Sequence, residues 1–89
     1  MKSYSVEYLP KAKRELDKLD TKTRSIIDSW VKNTLEGCEN PRLKGKALTG
    51  NLRGKWRYRV GDYRIVAEIH DDKVLILVVE VAHRSKIYR

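Results

Sequence analysis

The chain opens on a short alternation. Tyr4, Val6 and Tyr8 fall on one side and Ser3, Ser5 and Glu7 on the other, which predicts a half-buried strand over residues 3–8. Pro10 suits the first turn of a helix, and Ala12, Leu16 and Leu19 follow at helical spacing. Asp20 is placed to cap a second helix, whose apolar stripe is Ile26, Ile27, Trp30, Val31 and Leu35 and which ends at Gly37. The stretch from Cys38 to Gly54 holds Pro41, Gly45, Gly50 and Asn51 and reads as a loop. Strands are then predicted over 55–60 and 63–69, joined by the two-residue turn Gly61-Asp62. After a second turn at His70-Asp71-Asp72-Lys73, the run Val74 to Val81 is almost continuously apolar, which predicts a strand covered on both faces. The remainder, from His83 to Arg89, reads as a polar tail.

This order, β-α-α-β-β-β, predicts one α+β domain over residues 1–89, with two N-terminal helices packed on one face of a mostly antiparallel four-stranded sheet. A chain of 89 residues has room for one core only. A single cysteine, Cys38, excludes an internal disulfide and a zinc ribbon. No run is long and apolar enough to span a bilayer, and the first residues lack the apolar core of a signal peptide, so a cytoplasmic protein with no membrane partner is expected.

Charge changes the picture. Twenty Lys and Arg against twelve Asp and Glu give +8, which favours a polyanionic partner. The excess is uneven: residues 42–64 carry eight basic groups and one acidic group, whereas the helical segment up to residue 41 is nearly balanced. Hairpin arithmetic then sorts the faces. With Gly61-Asp62 as the turn, Arg59 opposes Arg64 and Arg57 opposes Val66. Trp56, Tyr58, Val60, Tyr63, Ile65 and Ala67 share the face that packs on the helices. Lys55, Arg57, Arg59 and Arg64 share the other face, with Glu68 opposite Lys55. Like charges placed directly opposite are destabilising, and a bound phosphate offsets them because guanidinium forks match its oxygens. Lys44 and Lys46 add general contacts to a nucleic-acid backbone.

The run LTGNLRGKWRYRVGDYRIV, followed by an apolar strand ending in VAHRSKIY, resembles the RelE/ParE superfamily of toxin–antitoxin toxins, and most of all its RelE branch. The likeness covers essentially the whole chain. Its most specific pieces are RYRVGDYRIV and the terminal HRxxxY of His83, Arg84 and Tyr88. The resemblance implies an mRNA interferase, a metal-independent and cofactor-free endoribonuclease that cuts messenger RNA in the ribosomal A site. It also implies a small RelB-like antitoxin as partner. By position it implies that Arg57 and Arg59 flank the scissile phosphate and that Arg64 stabilises its charge. Arg84 would then serve the leaving oxygen, and Tyr88 would orient a base.

One departure matters. The two strand positions are often lysine in RelE toxins, and a lysine can act as a base; here both are arginine, which effectively does not deprotonate. His83, next to Arg84, is then the first choice for a general base, ahead of Glu68 and Lys55. His70, beside Asp71 and Asp72, and Cys38 read as structural, and no metal site is expected. Two other functions stay open on the same residues: a ParE-like inhibitor of DNA gyrase without nuclease activity, and a nucleic-acid-binding module without catalysis.

Overall fold

The computed structural model describes residues 2–86, and Tyr88 lies outside that range. Strand β1 (Ser5–Tyr8) leads into helix α1 (Pro10–Asp17) and helix α2 (Thr21–Thr34). Strands β2 (Lys46–Ala47), β3 (Trp56–Val60), β4 (Tyr63–His70) and β5 (Leu75–His83) complete one sheet in the order β1-β5-β4-β3-β2. Only the β1–β5 pairing is parallel. The α+β architecture is as the pattern predicts, with one strand more than the four expected. The additional strand, β2, has two residues and lies inside the segment read as a loop.

Both helices begin for local reasons. Pro10 occupies the first turn of α1. Asp20 caps α2, its carboxylate accepting the Thr23 N–H at 3.1 Å and the Thr23 hydroxyl at 2.7 Å. The helices lay Ala12, Leu16, Ile27 and Val31 on the sheet, against Tyr58, Val60, Ile65, Ala67, Ile76, Val78 and Val81. Ile26 departs from the expected stripe: it is 53% exposed and takes no part in the core.

The expectation for the last strand is corrected. Leu75 and Leu77 sit on the sheet face opposite the helices and stay partly exposed, since no layer among the described residues covers that side. The run is apolar on both faces because Leu75 and Leu77 occupy outer-face positions, and a bulge between Val66 and Ala67 then breaks the alternation. The register jumps from Val66↔Glu80 to Ala67↔Val78, so Val79 is the extra residue and the buried positions run Ile76, Val78, Val81. The break in the two-residue period rotates Glu80 onto the outer face.

Two devices close the fold around β2 and β5. Gly45 has φ +81°, and a Cβ there would stand 2.2 Å from the Arg57 carbonyl oxygen, so only glycine lets the loop approach β3 this closely. Strand β1 covers the edge of β5 as far as Val78. The next exposed N–H on that edge, at Val81, donates to Glu15 Oε1 on α1 at 2.9 Å.

Candidate functional site

The outer face of the hairpin carries the site. The observed register sets Arg59 opposite Arg64, Arg57 opposite Val66 and Lys46 opposite Arg57, so these cations share one face. Their alternation with Trp56, Tyr58 and Val60 is what places one set in the core and the other outside it. At the far end of β5, a 3-10 turn at Arg84–Lys86 brings the chain back to the β3–β4 turn. There the Arg84 N–H donates to the Asp62 carbonyl at 2.7 Å.

A cavity of about 140 Å³ forms between these parts, lined by Arg57, Arg59, Gly61, Asp62, Tyr63, Arg64 and Arg84. Four of the predicted residues therefore meet at one place. Arg64 is the deepest, 7% exposed, and its only ionic contact among the described residues is a long one, Nη2 to Glu80 Oε1 at 3.4 Å. Among the described residues, the buried Nε–H groups of Arg57 and Arg64 have no hydrogen-bond acceptor. Leaving a buried donor unmade costs roughly 1–3 kcal/mol, more when the group is charged. Arg59 is exposed, and Arg84 lies at the rim with its side chain 74% exposed.

The other predicted residues are placed differently. His83 pairs with Tyr63 across the β4–β5 ladder and packs edge-on against its ring, 5.1 Å between centroids, on the helix side of the sheet. Its Nδ1 accepts the Ser85 N–H at 3.0 Å. It lines a neighbouring cavity with Glu15, Lys18 and Leu19 that shares Tyr63 with the arginine cavity, and His83 itself is not in the lining of the latter. Lys46 extends the basic face. Lys44 is exposed, and its carbonyl accepts the Trp56 indole N–H at 2.7 Å. Lys55 is held by Glu68 at 3.0 Å, and Glu68 also meets His70 Nε2 at 3.0 Å. Those two partners, Lys55 first, keep the Glu68 carboxyl below the ordinary range, so neither Lys55 nor Glu68 stands free as a base. Tyr88 is outside the described residues.

Three residues that the sequence reading passed over matter here. Asp62, read only as a turn residue, is the one acidic residue among the described residues that lines the cavity. Glu80 supports Arg64, a contact hidden by the bulge. Asp71 accepts both Arg42 Nη1 at 3.1 Å and Nη2 at 3.0 Å, and also the Tyr4 hydroxyl at 2.6 Å. That clip ties the 38–45 loop to the β4–β5 turn and pulls the Asp71 carboxyl down to about 2, chiefly through Arg42. No group of His, Cys, Asp and Glu among the described residues could hold a metal ion, and none of their helices is long and apolar enough to cross a membrane.

Comparison with known proteins identifies the family. Residues 6–88 match the model of the family described as the ParE toxin of the type II toxin–antitoxin system parDE. The toxin RelE of Mycobacterium tuberculosis is 34% identical over 86 residues, covering 97% of this chain and 87% of that protein. The mRNA interferase toxin RelE of Escherichia coli is 28% identical over 85 residues, covering 94% of this chain and 86% of that protein. Among solved structures, the toxin–antitoxin complex RelBE2 of Mycobacterium tuberculosis contains a chain that superposes with a TM-score of 0.83 at 28% identity, covering 92% of this chain and 99% of that one. The arginine cavity thus sits on a chain that belongs to the RelE/ParE superfamily of type II toxin–antitoxin toxins.

Proposed function

We propose that this toxin is a ribosome-dependent endoribonuclease that cleaves messenger RNA by attack of a ribose 2′-hydroxyl on the adjoining phosphorus. The observation that carries the reading is the single cavity with four guanidinium groups, two of whose Nε–H donors are buried and lack acceptors. A phosphodiester supplies those acceptors. As the 2′-oxygen approaches, negative charge grows on the non-bridging oxygens, and donors already fixed around them lower the barrier without reorganising. Arg64, held from below by Glu80, and Arg57 are the fixed donors in this scheme. Arg59 and Arg84, nearer the solvent, hold the flanking backbone and the departing 5′-oxygen. The products are a 2′,3′-cyclic phosphate and a 5′-hydroxyl.

The cavity is small, and most of its lining grips phosphate rather than a base. A message therefore needs an external scaffold to present one bond to it, which favours a ribosome-bound substrate over free RNA and a cytoplasmic site of action. The same basic face suits an acidic antitoxin, and the solved relatives include toxin–antitoxin complexes. In vitro translation with primer extension tests the reading. Cuts within the message are expected only when ribosomes are present; equal cutting of naked RNA would remove the ribosome from the account. The family model's ParE description favours a second reading, inhibition of DNA gyrase on the same fold. Absence of cutting together with inhibition of purified gyrase would select it.

A further inference from the structure

Cleavage of this kind needs a group to take the 2′-hydroxyl proton, and guanidinium groups do not serve. We propose that Asp62 is that general base. The inference rests on the ribonuclease reading above and adds to it the residue that accepts the proton.

The outer face offers few alternatives. Among the described residues, both Glu68 oxygens are occupied, by Lys55 and by His70, each at 3.0 Å. Glu80 holds Arg64 and does not line the cavity. His83 faces the helix side against Tyr63. Among the described residues, Asp62 is the only acidic one in the cavity lining, in the turn that joins the strands of Arg59 and Arg64. It is held there by its own backbone, through the carbonyl that accepts the Arg84 N–H at 2.7 Å. Its side chain is 67% exposed, and Oδ1 lies 3.8 Å from Arg84 Nε, outside hydrogen-bond distance. The carboxylate is therefore steered by a cation but not consumed by it, and its oxygens are free to accept a proton.

The step balances with no further reagent than water. The Asp62 carboxylate takes the 2′-hydroxyl proton, and the 2′-oxygen forms its bond to phosphorus. The bond from phosphorus to the 5′-oxygen breaks with its electron pair on oxygen, which takes a proton from water. A carboxylate among four cations also opposes phosphate binding slightly, and this gives the role a signature that a purely structural residue lacks.

The test measures binding and rate separately. Ribosomes programmed with a message carrying one 2′-deoxynucleotide at the cleavage position report affinity, and the all-ribose message reports single-turnover cleavage. For Asp62→Asn, which keeps the backbone carbonyl that Arg84 uses, cleavage is expected to fall at least ~10²-fold while affinity stays equal or tightens. Asp62→Ala keeps the same backbone acceptor and provides a second measurement should Asn disturb the turn. Asp62→Glu is expected to recover much of the loss. Cleavage by Asp62→Asn within about threefold of wild type would overturn the proposal. So would a loss of affinity parallel to the loss of rate, which would make Asp62 a support for Arg84. Failure of the wild-type chain to cleave would instead sink the ribonuclease reading and this inference with it.

Discussion

The two faces of the sheet are made by the same three strands, yet they solve opposite problems. On the helix side, Tyr58, Ile65, Ala67, Ile76 and Val78 are sealed by α1 and α2, and the buried Tyr58 hydroxyl has a partner, the Pro41 carbonyl at 2.6 Å. On the outer side no layer covers the sheet among the described residues. Arginines stand opposite one another there, and among the described residues the buried Arg57 and Arg64 Nε–H groups lack acceptors, where the helix side leaves only the Tyr8 hydroxyl without a partner. Stability is concentrated on one face and reactivity on the other, separated by the thickness of a β-strand. A side-chain period of two lets a chain this short have both, because each added strand residue alternately extends the core and the site.

Substitutions on the two faces should therefore separate stability from activity. The largest effect is expected in the core. Tyr58→Ala should lower unfolding stability by about 3–5 kcal/mol in urea titration, through lost packing and a stranded Pro41 carbonyl. Next comes the site: Arg64→Ala and Arg84→Ala should each slow cleavage by roughly 10²-fold or more. For Arg84→Ala the melting temperature should hardly move. Gly45→Ala, at the seam between β2 and β3, should cost about 1–3 kcal/mol, since the added methyl meets the Arg57 carbonyl. An unchanged melting curve for that variant would show that the loop can retreat from the sheet.

Arg59→Gln sharpens the contrast further. It removes one of two opposed cations and should raise stability by about 0.2–1 kcal/mol while slowing cleavage, a trade of activity against stability at a single position. The smallest effect is in acid. Asp71 titrates lower in the folded chain, at about 2, than its ordinary value of 3.8. Its contribution is thus complete above about pH 4 and lost as pH falls towards 2. Asp71→Asn should remove that part of the acid dependence and loosen the 38–45 loop, visible as faster amide exchange there.

Much of this was legible in the sequence, for physical reasons that can be named. The Gly61-Asp62 turn determined the register of β3 and β4, and the strict alternation of WRYRV and YRIVA then assigned every side chain to a face. Asp20 and Pro10 marked the helix starts. What stayed hidden depended on geometry that leaves no trace in a local period. Leu75 and Leu77 on the outer face disguised a one-sided strand as a buried one, and the bulge at Val66/Ala67 concealed the partnership of Glu80 with Arg64. The placement of His83 followed from pairing with Tyr63, which requires knowing where β5 ends. The Arg42–Asp71–Tyr4 clip joins residues far apart in the chain, and no spacing announces it.

The account depends most on Arg57 and Arg64 acting on one anion. Arginine Nε–H resonances, followed by NMR during titration with a 2′-deoxy trinucleotide at millimolar concentration, test this directly. The Arg57 and Arg64 signals are predicted to shift together along one binding isotherm, and the Arg57 response should vanish in the Arg64→Ala variant. Signals that stay still, or that follow separate isotherms, would contradict a shared phosphate site.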